Sequence, residues 1–440
     1  MRVLVTGTST FFTPRLIQGF SKRGVSVTAA DDHFWSIGKS IPGTRWLRTP
    51  SLSRDPAGYL AAVIQELKSR PYDLLLPTFE ESLLLAEFRE EIESLTCLWL
   101  PPFEVMWQLH HKPSLYNLCC DLDIPAPPTV TRPTLFDLED QVSHLQFPVV
   151  LKLPTSNNSI GREYCETLAE LVDRFQSVYD RETQQHSEAP FVQQKIDGDA
   201  IYTLMLCHEG RKLGEVIYRP LRTFPENGGT SSHRESIQHP QIAELTQRLA
   251  AATNWSGFLG LDFIVDHHDG TPYLIDANPR ANPAVQLGYL GGVDWTGLLI
   301  DLQRGRDPAP QTARPGLRNC TPLLDALWVM EGLCVRKNLV RTLYQRLQKV
   351  LNPGWTLDSS HDFMGQSEWL GHLAIGWQGF SAIGKSLLTG QSIGQCFLNG
   401  ANYDPLTVQE LRQSRRIMES SEKVLVMPTR AAQSEIAAAS

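Results

Sequence analysis

A chain of 440 residues is long for one hydrophobic core, so two or three domains are expected. At 42% hydrophobic and 20% charged residues the composition is that of an ordinary soluble globular protein, and a net charge of −8 with no long basic run speaks against nucleic acid as a partner. The eight cysteines are scattered without CxxC or Cys/His spacing, which gives no zinc signature and fits a reduced, cytoplasmic setting.

The opening "MRVLVTGTST" lacks a basic stretch followed by a long apolar one; it reads as a buried strand and not a leader. "TPRLIQGFSKRG" follows with helix-like apolar spacing and Gly24 as a stop, then "VSVTAADD" as a second strand. "AGYLAAVIQELKSR" is an amphipathic helix and "YDLLLPT" the next strand. This alternation predicts a parallel sheet covered by helices over residues 1–105. A dinucleotide site with Asp31 or Asp32 on the ribose is the obvious use of such a fold. The loop "GTSTFFT" argues against it, because it keeps one glycine of the G-x-G-x-x-G pattern.

Further on, "HKPSLYNLCCDLDIPAPPT" puts Lys112 at a helix start, and "FPVVLKLPTSNNSIGREY" ends a buried strand at Lys152, followed by a small polar loop over 155–161. Such a loop offers backbone N–H groups to phosphate oxygens, and the lysine supplies a point charge. "PFVQQKIDG" is another strand with a turn. "GFLGLDFIVDHHDGTPYLIDANPR" reads as two strands around the Asp269–Gly270 turn. Folding that hairpin brings Asp262 beside Asp276. Residues at i, i+2 and i+4 of a strand share one face, so Asp276, Asn278 and Arg280 offer two oxygen ligands and a cation together. Two carboxylates and an amide suit Mg²⁺ shared with phosphate oxygens; a hairpin salt bridge is the plainer alternative.

Lys112, Lys152 with its loop, "VQQKIDG", Asp262 and "DANPR", in this order and spacing, resemble the ATP-grasp superfamily over residues 1 to about 300. The resemblance implies an α/β and α+β protein. It would consist of an N-terminal Rossmann-like pre-ATP-grasp domain (1–105), a two-lobed ATP-grasp domain (106–305, small lobe roughly 128–197) and a mainly helical C-terminal extension (306–440). It implies ATP and Mg²⁺ as cofactors and activation of a small-molecule carboxylate as an acyl phosphate for attack by an amine. Residue by residue, Lys112 and Lys152 match the lysines on the nucleotide phosphates. The 155–161 loop, with Ser159 and Gly161, matches the lid. Gln193, Lys195 and Ile196 match the hinge at the adenine, with Gln193 where the family more often has Glu. Asp262, Asp276 and Asn278 match the metal ligands, and Arg280 the arginine on the transferred phosphate. Ala200 stands where a ribose-contacting Glu is common, and Asp199 is the candidate substitute.

Substrate contacts are sought at Glu80 and Glu81 in "LPTFEES", at His233 and Arg234 in "GGTSSHRESI", and at Asn282 and Tyr289. Arg234 could hold a carboxylate bidentately; each also reads as a loop surface residue. In the tail, "RDPAPQTARPG" reads as a linker and "LLDALWVMEGLCVRKNLVRTLYQRLQKVL" as one or two helices. "SEWLGHLAIGWQGFSAIGKSLL" is too broken by glycine and polar residues to be a transmembrane span; a docked helix is expected, with a peripheral membrane helix as the alternative. The layout of this tail is also similar to that of ligases joining glycine to a cyclohexenone in mycosporine biosynthesis. A non-catalytic nucleotide-binding protein is the rival class, and a homo-oligomer is compatible with the sequence.

Overall fold

The computed structural model describes residues 1–33, 36–155, 162–184, 188–224, 229–331, 339–351, 359–361, 369–389, 403 and 411–412. Three sheets organise them. The first is built from β1 (Arg2–Val5), β2 (Ser26–Asp31), β3 (Arg45–Arg48), β4 (Leu74–Leu76) and β5 (Cys97–Leu98), all parallel, in the order β3-β2-β1-β4-β5. The central strands β1 and β4 are short apolar runs because the sheet is buried on both faces there, with Val3 and Val5 on one side and Leu4 on the other. Thr13–Ser21 starts with Pro14 in its first turn, and Pro56–Ser69 is capped by Asp55, whose Oδ1 accepts from Gly58 N at 2.8 Å.

A small antiparallel sheet follows: β6 (Thr129–Val130), β7 (Val149–Lys152), β8 (Glu163–Cys165) and β9 (Phe191–Gln194), ordered β6-β9-β7-β8. Its own core, with Val149, Leu151, Phe175 and Val192, is buried beneath the helix Leu168–Gln184. The large sheet contains β10 (Gly198–His208), β11 (Arg211–Phe224), β12 (Thr230–Ile237), β13 (Gly257–Asp266), β14 (Pro272–Asn278), β15 (Gln311–Thr312), β16 (Arg318–Cys320) and β17 (Ser359–His361). Its main path runs β14-β13-β10-β11-β12-β16-β17, with β15 beside β11.

The tail is thus more than a linker and helices. Residues 311–312 and 318–320 extend the large sheet, because β11 and β12 leave backbone groups there to pair. The helix Pro322–Glu331 then packs Leu324, Leu327 and Trp328 into the core, and Arg222 lies over the Trp328 ring while its Nε sits 3.3 Å from Asp325 Oδ1. The helix Trp369–Thr389 leaves Trp377 and Phe380 exposed. No described helix is long and apolar enough to cross a membrane.

Candidate active site

Strands β13 and β14 turn back through residues 267–271, where Gly270 takes a φ of +74° that an L side chain rarely adopts. The resulting register puts Asp262 opposite Asp276 and Gly260 opposite Asn278, with a bulge just beyond. The same row continues across the sheet: Asp262 faces Tyr202 of β10, and Tyr202 faces Tyr218 of β11. Cross-strand partners share a face, so two carboxylates and two phenols stand side by side. Asn278 Nδ2 donates to Asp262 Oδ2 at 3.4 Å. Burial, and then the neighbouring Asp276, push the Asp262 carboxyl up to about 7.

Lys112 opens the helix Lys112–Asp121, capped by His111, whose Nδ1 accepts from Ser114 N at 3.3 Å. Its Nζ lies 3.3 Å from Asp276 Oδ1. From the small sheet, Lys152 Nζ donates to Gln193 Oε1 at 2.6 Å, and Gln193 Nε2 donates to Thr129 Oγ1 at 2.9 Å. Burial lowers the Lys152 ammonium to about 7. Lys195 and Arg162 both lie over the Tyr164 ring of this lobe, at 5.6 and 5.4 Å from its centroid. Lys195 N donates to Pro148 O at 3.1 Å, and half-buried Ile196 follows in the link to β10.

Arg280 is held from several sides. Its Nε donates to Glu80 Oε1 at 2.7 Å, its guanidinium lies 4.4 Å from the Phe79 ring centroid, and its backbone N donates to Asn278 O at 2.7 Å. Pro279 accepts from Ser82 Oγ at 3.3 Å, so the first domain braces the end of β14. These elements enclose a cavity of about 480 Å³ whose wall carries the cations Lys112, Lys152, Arg162, Lys195 and Arg280 against the anions Asp262 and Asp276. Such a surplus of positive charge around a carboxylate pair suits a polyanion that arrives with a divalent cation.

Several expected residues stand elsewhere. Asp199 alternates with Ala200 and Tyr202; those two line the cavity, whereas Asp199 is exposed and its Oδ1 lies 3.3 Å from His267 Nε2. Arg234 is fully buried, with its guanidinium donating to Pro283 O and Thr321 Oγ1, so it braces the wall and does not present a fork to a ligand. Its neighbour His233 is buried too, and burial lowers its imidazole to about 4. Glu80 lies behind Arg280 and is 2% exposed on its side chain. Asn282 is in the wall, but its amide is engaged at both ends, donating to Thr203 O and accepting from Ala284 N, each at 2.9 Å. Tyr289 faces a separate surface cleft with Arg15 and Lys22. Ser159 and Gly161 lie outside the described residues. Arg162, Tyr164, Tyr202 and Tyr218 line the cavity without having been singled out, although Tyr202 is two residues along the same strand face as Ala200.

The crevice at the carboxyl ends of β1, β2 and β4 is filled by the protein itself. Glu81 Oε1 accepts from Thr6 Oγ1, Thr78 N and Phe79 N at 2.8, 2.9 and 3.2 Å, and a Cβ on Gly7 would lie 2.7 Å from that oxygen. Asp31 accepts from Ser9 N, and Asp31 and Asp32 both meet His33, whose imidazole they hold up at about 10. Glu81 therefore takes up the polar groups at the end of β1, beside the loop that holds Gly7.

No family model matches the chain. Among solved structures it is similar to the biotin carboxylase–β,γ-ATP complex from Campylobacter jejuni, at 15% identity over 72% of this chain and 74% of that one, with a TM-score of 0.60. It is also similar to phosphoribosylamine–glycine ligase from Thermotoga maritima (16% identity, 72% and 78% covered, TM-score 0.58) and to the L-amino acid ligase from Bacillus licheniformis (19%, 70% and 75%, 0.53). These likenesses show the fold, which is the ATP-grasp fold that the ordered lysines and the "DANPR" strand implied.

Proposed function

We propose that this protein is a ligase that uses Mg²⁺ and ATP to activate a small-molecule carboxylate as an acyl phosphate, which an amine then attacks, giving an amide-type bond, ADP and phosphate. The observation that carries this reading is one cavity walled by Asp262, Asp276, Asn278, Arg280, Lys112 and Lys152, contributed by three parts of the chain. The similar structures support it, since one is a nucleotide complex and two are ligases by name.

The donor set fits Mg²⁺. Asp262 is paired with Asp276 in a half-buried row, a cation would keep both charged, and Lys112 already approaches Asp276. Asp262, Asp276 and Asn278 would hold the ion, which supplies charge neutralisation at the phosphates. The chain's own groups do the rest. Lys112 and Lys152 place positive charge along the polyphosphate. Arg280, held rigid by Glu80 and Phe79, is preorganised for the charge that develops on the transferred phosphoryl group and on the later tetrahedral oxyanion. The backbone at Lys195 and Ile196 would take the adenine edge. Free Cys97, Cys119, Cys120, Cys165, Cys207 and Cys320 suit the cytoplasm.

The test is ADP release from MgATP by the purified protein, across a panel of carboxylic acids with and without amines. Release that needs a particular acid is expected, with an amide product when the amine is present. MgATP binding with no acid-dependent release from any member would leave a nucleotide-binding protein in place of a ligase.

A further inference from the structure

We propose that the Tyr218 hydroxyl, together with Arg280, donates to the reacting carboxylate, and that the acid therefore lies over β11 and the start of β12. This rests on the ligase reading and adds to it the place of the acid. The row Asp276–Asp262–Tyr202–Tyr218 steps across four strands at about 4.8 Å each. The first two residues are the metal ligands, so Tyr202 adjoins the phosphates and Tyr218 stands one strand beyond them. The backbone at Lys195 and Ile196 comes just before β10, and Ala200, paired with Ile264, walls the cavity between it and Tyr202. Gly229, Thr230 and Ser231 wall the cavity beside Tyr218 and keep that end open to a small molecule.

The phenol is built to donate. Its ring is set edge-on to Tyr202, with centroids 5.7 Å apart and planes at 78°, which fixes its direction. Burial, reinforced by Asp262, raises its pKa above the ordinary tyrosine range, against the lowering pull of Arg280, so the phenol keeps its proton at neutral pH. Asn282, which also walls the cavity, has its amide committed to backbone groups. A neutral donor on β11 and a cation just past the end of β14, both in the wall of one cavity, match a carboxylate that passes to an acyl phosphate and then to an oxyanion.

The experiment runs the activation step backward with the smallest acyl phosphate. Protein, MgADP and acetyl phosphate should yield ATP and acetate: the bond from phosphorus to the acetyl oxygen breaks, and one to the terminal phosphate oxygen of ADP forms. In Tyr218→Phe, which keeps the ring against Tyr202, the rate should fall about ten- to a hundredfold, while MgADP affinity and melting temperature hold. Tyr218→Phe combined with Arg280→Lys should lose less than the product of the two single losses, since both serve one group. A full rate in Tyr218→Phe overturns the donor role and leaves the ligase reading standing. If wild-type protein makes no ATP from acetyl phosphate but releases ADP with another acid, the same Tyr218→Phe comparison on that release decides the donor role; no ATP and no acid-dependent ADP release, from protein that binds MgADP, removes the ligase reading and the donor role with it.

Discussion

Among the described residues, the end of the parallel sheet and the cavity of the antiparallel sheets differ in what their polar groups face. The parallel sheet ends at Thr6, Thr78 and Glu81, which spend their hydrogen bonds on one another. The antiparallel cavity instead gathers five cations around two carboxylates, and Lys112 and Arg280 are fixed by partners outside the cavity's own sheet. The first crevice has the more familiar outline, but its polar groups are already paired; the second has space and charge. Fold outline alone does not locate a site; what decides is whether polar groups are left facing a space.

The sharpest way to break this contrast is Arg280→Lys, which keeps the charge and loses the planar fork toward Glu80. If the cavity is catalytic, acid-dependent ADP release should drop by about 10²–10³ while ATP affinity hardly changes. Normal turnover would make Arg280 a structural residue. The opposite signature is expected in the filled crevice. Glu81→Ala strands the buried donors Thr6 Oγ1, Thr78 N and Phe79 N and should cost about 1–3 kcal/mol in denaturant unfolding, with unchanged MgATP affinity in the folded protein. A loss of nucleotide affinity there would join the two crevices functionally.

A smaller effect separates Lys152 from Arg280. Below its value of about 7 the Lys152 ammonium is charged and ready for phosphate; above it, binding must recruit a proton. ATP affinity should weaken by about tenfold between pH 6.5 and 8.5 in calorimetry, with proton uptake at the upper end, and Lys152→Met should lose both affinity and that slope. The sign for stability is the reverse of a paired lysine. The folded group releases its proton at a lower pH than the unfolded one, so its burial cost is full below 7 and fades as pH rises toward 10.5. Lys152→Met should therefore raise the melting temperature most at acidic pH. The smallest effect is expected for Asp199→Ala, because that carboxylate points away from the cavity toward His267: no change in ATP affinity beyond experimental error.

What could be read from the sequence follows from how local each feature is. The Asp262–Asp276–Asn278 set was legible because strand alternation and a D-G turn fix it within a few residues. The parallel first sheet and the helix start at Lys112 were legible for the same reason. The Glu80–Arg280 pair was not, since its members are 200 residues apart and no local pattern joins them; Glu80 seemed available to a substrate for that reason. Arg234 looked like a ligand fork because a sequence does not show that Pro283 and Thr321 close over it. Asp199 is a different failure: alternation from Ala200 already placed it on the far face and Tyr202 on the near one. The pairing of residues 311–320 with β11 and β12 rests on backbone groups, which leave no mark in side-chain pattern.

The central claim, that the carboxylate row holds a metal for a nucleotide, is tested most directly by ATP titration calorimetry with Mg²⁺ and with excess chelator, on wild type and on Asp276→Asn. ATP should bind wild type much more tightly with Mg²⁺, and most of that gain should vanish in the variant. Equal affinity in chelator and in Mg²⁺ would contradict the account.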